Sequence, residues 1–266
     1  MTGCSQEHSQ GMKSQSMNEY IHSFQEKKMG KQDIGFVFIH GAGLGSWIWE
    51  ETIKNINAPC LALDYPGRAD KKKINTGNLT LDDYTTSILK DIDGFKPKKI
   101  IIVAHSIGGI PGLEIARLRK ERVIGFVAVG AAIPEHNGSF ISSMPFPGRY
   151  FVNLMMTLFG TQPPENAIKS GLCNDLTEAQ TKEVVKKFVP ESIRLYRDEI
   201  ERKTDIAEPL YIVLNNDKQL PIELQRKMAG NLNSHSIVKL DSGHLPMMSR
   251  PKDLAGILNQ YLLTIQ

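Results

Sequence analysis

Three side chains able to carry out acyl transfer stand in this chain in a telling order: Ser106, then Asp217, then His244. Ser106 ends the β-branched run Lys99-Ile100-Ile101-Ile102-Val103-Ala104-His105 and is followed by Ile107-Gly108-Gly109. A small-x-Ser-x-Gly pentapeptide of this kind makes a strained turn between a buried strand and a helix, and its neighbours are small because the backbone and the helix must approach closely. A serine hydroxyl is a poor nucleophile at neutral pH. An imidazole must take its proton, and a carboxylate must orient that imidazole and stabilise its charged form. An ordinary βα turn in a parallel sheet uses the same small residues, so the partners decide between the two readings.

The partners have a fixed chain order, with an oxyanion loop upstream and an acid and a histidine downstream. Upstream, the run Gly35-Phe36-Val37-Phe38-Ile39 ends in His40-Gly41-Ala42-Gly43, where glycines let a backbone N–H turn toward a reacting carbonyl. The donors expected there are the amides of Ala42 and Ile107. His40 precedes the serine, so its expected role is to hold that loop by hydrogen bonds. Of the seven histidines, only His136, His235 and His244 follow Ser106. His136 leaves no room for an acid on a later strand, and His235 lies in the polar turn Asn233-Ser234-His235-Ser236. His244 follows the run Ile237-Val238-Lys239-Leu240 in a Gly-bearing loop, at a strand's C-terminal end, where open α/β sheets place their chemistry. The acid expected is Asp217, which ends the run Leu210-Tyr211-Ile212-Val213-Leu214-Asn215-Asn216. Asp175, Asp198 and Asp205 lie in a polar, helix-like stretch, and Asp241 is too near His244 to orient it from another strand.

These residues can meet only if a sheet gathers the strand ends that carry them. Strand patterns at 35–39, 59–64, 99–104, 123–130, 209–215 and 236–240 alternate with amphipathic stretches near 47–57, 80–93, 107–120, 222–231 and 251–264. That alternation predicts an α/β fold, a mostly parallel six-stranded sheet covered by helices. One connection, from Ala132 to Pro209, is far longer than a crossover needs and reads as a helical lid, about 133–208, inserted after the fourth core strand. Its first half carries Ile141, Met144, Phe146, Phe151, Leu154, Met155, Met156, Leu158 and Phe159, and its second half, 176–204, reads as a charged amphipathic helical stretch. Met and Phe above a nucleophile imply an apolar, adaptable pocket.

In combination the motifs resemble the α/β-hydrolase superfamily, and within it the plant methylesterase and hydroxynitrile-lyase group with its bacterial esterase relatives. The likeness rests on Phe38-Ile39-His40-Gly41-Ala42-Gly43-Leu44-Gly45-Ser46-Trp47-Ile48-Trp49, Leu63-Asp64-Tyr65-Pro66-Gly67-Arg68, the serine turn, Asn216-Asp217-Lys218-Gln219-Leu220-Pro221 and Gly243-His244-Leu245-Pro246-Met247-Met248-Ser249-Arg250-Pro251. It runs from about residue 35 to the C-terminus and implies the α/β-hydrolase fold. Pro134-Glu135-His136-Asn137-Gly138-Ser139 resembles the entrance segment of that branch's lid. Two positions depart from the pattern. Ala104 stands where the family usually has glycine, a change conservative in size. Leu245 follows the histidine where hydroxynitrile lyases have a lysine that helps hold cyanide, which argues against lyase chemistry.

Length and composition agree with one domain over 33–266, preceded by a leader at 1–32 that is rich in Gln, Ser, Lys and Met and helical around 18–28. The leader lacks the apolar core of a signal peptide, and no apolar stretch approaches the length that spans a bilayer. The net charge of +3 is scattered, and its local runs, Lys71-Lys72-Lys73 and Lys98-Lys99, lack the aromatic interleaving of a nucleic-acid surface. Cys4, Cys60 and Cys173 form no metal spacing and leave an odd thiol, which suits a reducing, cytoplasmic setting. Gly41-Ala42-Gly43-Leu44-Gly45 fails the dinucleotide spacing, so no cofactor and no metal is expected. The sequence therefore reads as a cofactor-free serine hydrolase of a carboxylic ester with an apolar acyl or aryl part. The expected partner is that small ester, with no nucleic acid and no membrane, and a homodimer stays open. The alternative is a ligand receptor of the same fold with little turnover.

Overall fold

The computed structural model describes residues 33–200, 206 and 208–265. The leader expected over 1–32, with its helix, Cys4 and Asp205 lie outside the described residues.

Six strands form one sheet: β1 Ile34–Ile39, β2 Cys60–Ala62, β3 Lys99–His105, β4 Val123–Val129, β5 Leu210–Leu214 and β6 Ser236–Leu240. Their order is β2-β1-β3-β4-β5-β6, and every pairing is parallel. The central strands are continuous apolar runs because helices cover both faces of the sheet. Along β1 and β3, Val37, Ile39, Ile100, Ile102 and Ala104 face one core, while Phe36, Phe38, Ile101 and Val103 face the other. The first core is closed by helix α1, Leu81–Asp93, which buries Tyr84, Ile88 and Ile92 and starts with a reciprocal cap between Thr80 and Asp83. Helix α2, Gly109–Leu118, follows the serine and packs on the same side.

The chain leaves β1 for the edge at β2, then crosses back to β3 and runs outward in the opposite direction. This reversal opens a crevice beyond the C-terminal ends of β1 and β3, the usual ligand site of an open α/β sheet. In register, Ile39 pairs with Ala104. The loops that begin at His40 and Ser106 therefore leave the sheet side by side.

Between β4 and β5 the chain makes the long excursion expected. It contains a turn of helix at Phe140–Ser143, then α3, Gly148–Phe159, α4, Glu178–Lys187, and the short α5, Ile193–Arg197. Its second half is not the single helical stretch anticipated over 176–204. The chain turns extended at Phe188 (ψ 125°) and restarts at Ser192, whose side chain caps α5. Its first half also differs, for Phe146, Phe151, Leu154, Leu158 and Phe159 are exposed, and only some of the apolar side chains turn inward. Helix α6, Ile222–Asn231, and helix α7, Pro251–Ile265, complete the layers, α7 burying Leu254, Leu258 and Leu262. Among the described residues no helix is long and apolar enough to cross a membrane.

Candidate active site

Ser106 begins the turn between β3 and α2 with φ at 53°, the left-handed region that side chains with a Cβ rarely occupy. Such strain persists only where its surroundings impose it, and it clusters at functional sites. Here the surroundings are visible. The Ser106 carbonyl accepts the Ala132 N–H at 2.8 Å, and a Cβ on Gly108 would lie 2.7 Å from the His40 carbonyl oxygen. On the opposite side Gly41 fits against the serine, since a Cβ there would come within 2.9 Å of Ser106 Cβ.

His244 and Asp217, expected to work together, are bonded. His244 Nδ1 lies 2.8 Å from Asp217 Oδ2, and both side chains are almost wholly buried. A carboxylate only accepts, so Nδ1 carries a proton, and it is the neutral form of the ring that presents a lone pair at Nε2. The other carboxylate oxygen accepts the backbone N–H groups of Gln219, at 2.7 Å, and Leu220, at 3.0 Å. Burial alone would raise the pKa of Asp217. The His244 imidazole and these two amides outweigh it and hold the carboxyl below its ordinary value. The carboxylate is therefore ionised and fixed in direction.

Two further histidines fix the loops. His40 donates from Nδ1 to the Gly41 carbonyl at 2.8 Å and accepts the Tyr65 N–H at Nε2, while Tyr65 OH donates to the His40 carbonyl. This is the loop-holding role that chain order suggests for it. Burial, followed by the charge of Arg68, pushes its pKa well below the usual imidazole value. His105, not singled out in the sequence, donates from Nε2 to the His244 carbonyl at 2.8 Å and so ties the serine strand to the histidine loop. Burial drives its pKa to about 3, and it stays neutral. Only the motif's small-x-Ser spacing marked this residue, as an unspecified x.

Ser106, Ile107, Ala42 and His244 line one cavity of ≈ 260 Å³, walled by Met144, Met156, Phe188 and Leu220. Ile107 lies at the start of a helical segment, where the first N–H groups have no intrahelical acceptor. A larger, more open groove of ≈ 650 Å³ lies between Thr80, Glu114, Arg117 and Arg194, away from the serine. Among its charges Arg117 pairs with Glu114 at 2.7 Å and Arg194 with Asp198 at 3.2 Å. The alternative acids are elsewhere: Asp198 caps that groove and accepts the Leu81 N–H, and Asp175 accepts the Gly243 N–H at 2.6 Å. His136 and His235 are not in the cavity wall. The thiols are poor nucleophiles, since burial raises Cys60 to about 12 and Cys173 to about 11. No group of metal-ligating side chains occurs among the described residues.

A profile of the alpha/beta hydrolase family matches residues 36–257, and the chain belongs to that family. Among particular proteins, it is 27% identical to methyl jasmonate esterase 1 of Vitis vinifera, over 87% of this chain and 98% of that protein. It is 24% identical to methylesterase 7 of Arabidopsis thaliana, over 84% and 94%. Among solved structures, an extracellular alpha/beta-hydrolase from a Paenibacillus species superposes with a TM-score of 0.76 at 20% identity, covering 85% of this chain and 98% of that one.

Proposed function

We propose that the protein cleaves a carboxylic ester with an apolar acyl or aryl part, through an acyl-enzyme and without a cofactor. That it is a carboxylic ester hydrolase rests on its family, together with relatives named as methylesterases and a methyl jasmonate esterase. Ser106 Oγ attacks the ester carbonyl while His244 Nε2 takes its proton, and the amides of Ala42 and Ile107 donate hydrogen bonds to the developing oxyanion. His244 then delivers the proton to the leaving alcohol, and water repeats the sequence to release the acid. Asp217 keeps the imidazole in the required tautomer and stabilises its charged form.

One observation carries this reading: a strained serine shares a mostly apolar-walled cavity with a histidine whose Nδ1–H is committed to a buried carboxylate. A cavity of ≈ 260 Å³ is at the small end for ligand sites, which favours compact esters over long-chain ones. The test combines labelling with turnover. A fluorophosphonate should label Ser106 stoichiometrically, and p-nitrophenyl esters of graded acyl size should be hydrolysed, with kcat/KM highest for short acyl groups. Labelling without turnover of any ester would instead identify a receptor.

A further inference from the structure

The loop that carries Ala42 is held from the insertion by a buried charged pair. Glu191, just beyond α4, has no exposed side-chain surface, and Arg68, on the loop after β2, is only 6% exposed. The guanidinium bonds the Glu191 carboxylate through Nη2 and, at 3.3 Å, through Nη1. Its Nε also donates to the Leu44 carbonyl, and Nη2 to the Val189 carbonyl at 2.7 Å. The same carboxylate accepts the Gly43 N–H at 3.3 Å, while the Val189 N–H donates to the Gly43 carbonyl at 3.0 Å. Gly43 has φ at 77°, and the Phe188 ring occupies the space a Cβ would need. Both faces of Gly43 are therefore clamped by residues 188–191.

A buried ion pair is a weak stabiliser, since apolar replacements of similar volume are often neutral or better. Geometry is what this pair supplies. The Gly43 N–H belongs to the peptide unit that starts at Ala42, so the carboxylate that holds it sets the backbone of Ala42. We propose that Glu191, itself aligned by Arg68, is a positioning residue that keeps the Ala42 amide aimed at the oxyanion, so that the hole is complete only when the insertion is docked. This rests on the esterase reading for the role of Ala42. Losing a whole oxyanion donor costs about 10²–10³ in kcat. A donor left in place but loosened should cost less, roughly tenfold or more.

Two sets of variants test it. Glu191→Asp keeps a charge beside Arg68 but shortens the reach by one methylene, and should lower kcat at least about tenfold with KM within about twofold. Paired variants remove the charges together, so that no lone ion is stranded in the core. Arg68→Met with Glu191→Gln keeps an acceptor for the Gly43 N–H, whereas Arg68→Met with Glu191→Leu removes it. The second pair should be slower in kcat and in fluorophosphonate labelling of Ser106 by about tenfold relative to the first, at similar Tm. Equal rates for the two pairs, or a Glu191→Asp enzyme within twofold of the parent, would overturn the proposal. If the parent is labelled but hydrolyses no ester, the esterase reading fails, and the ratio of labelling rates still decides the role of Glu191. A parent that is neither labelled nor active overturns both.

Discussion

At the scale of single residues, the proposed chemistry divides between a group that bonds to substrate and a group that acts through another. Ser106→Ala should lose several powers of ten in kcat while the circular dichroism spectrum is kept, since the members of such a triad act as a unit. Asp217→Asn should also depress kcat steeply with little change in KM, because the carboxylate works on the imidazole and not on the substrate. Steady-state kinetics on contaminant-free protein read both. An Asp217→Asn enzyme near parental activity, with Asp175 or Asp198 proving essential, would move the acid elsewhere. Ser106, Asp217 and His244 were legible because each ends or follows an apolar run and their chain order excludes most alternatives. Arg68 and Glu191 were not: they are 123 positions apart, and no local period reports a pairing of that separation.

At the scale of elements, the strands were readable to within a few residues because a strand covered on both faces is a continuous apolar run. The insertion was not. Composition alone does not distinguish an apolar side chain over a cavity from one in solvent, and α3 shows both. Val152 and Met156 line the cavity, while Phe151, Leu154 and Leu158 are exposed. The extended break at Phe188–Ser192 follows from contacts with Gly43 and Arg68, which local propensity does not register. Because Met156 limits the cavity, Met156→Ala should admit a longer acyl chain. Its preference for octanoate over butyrate p-nitrophenyl esters, as a ratio of kcat/KM, should rise about tenfold or more, the scale of one methylene newly accommodated in an apolar pocket. An unchanged ratio would place the acyl group elsewhere.

For the molecule as a whole, the neutral histidines set the response to acid. His40 and His105 are fully buried, and both have pKa values depressed in the folded protein, His105 to about 3. In the unfolded chain each takes up a proton near pH 6.5, so below that value the unfolded state binds more protons and stability must fall with pH. The loss continues for His105 until about pH 3. Two such groups correspond to roughly 2–3 kcal/mol per pH unit below pH 6. Urea unfolding at pH 7, 6 and 5 should show it, and a midpoint independent of pH would contradict it.

The left-handed backbone of Ser106 has a different consequence, for selection and not for chemistry. A residue with a Cβ costs about 1 kcal/mol or more at that φ, a cost glycine does not incur. Ser106→Gly should therefore melt roughly 2–4 °C above Ser106→Ala by calorimetry, although neither has a nucleophile. The sturdier protein is thus one mutation from the working one and cannot do its work. In a lineage that no longer needed a hydroxyl at position 106, drift to glycine there would carry no cost in stability.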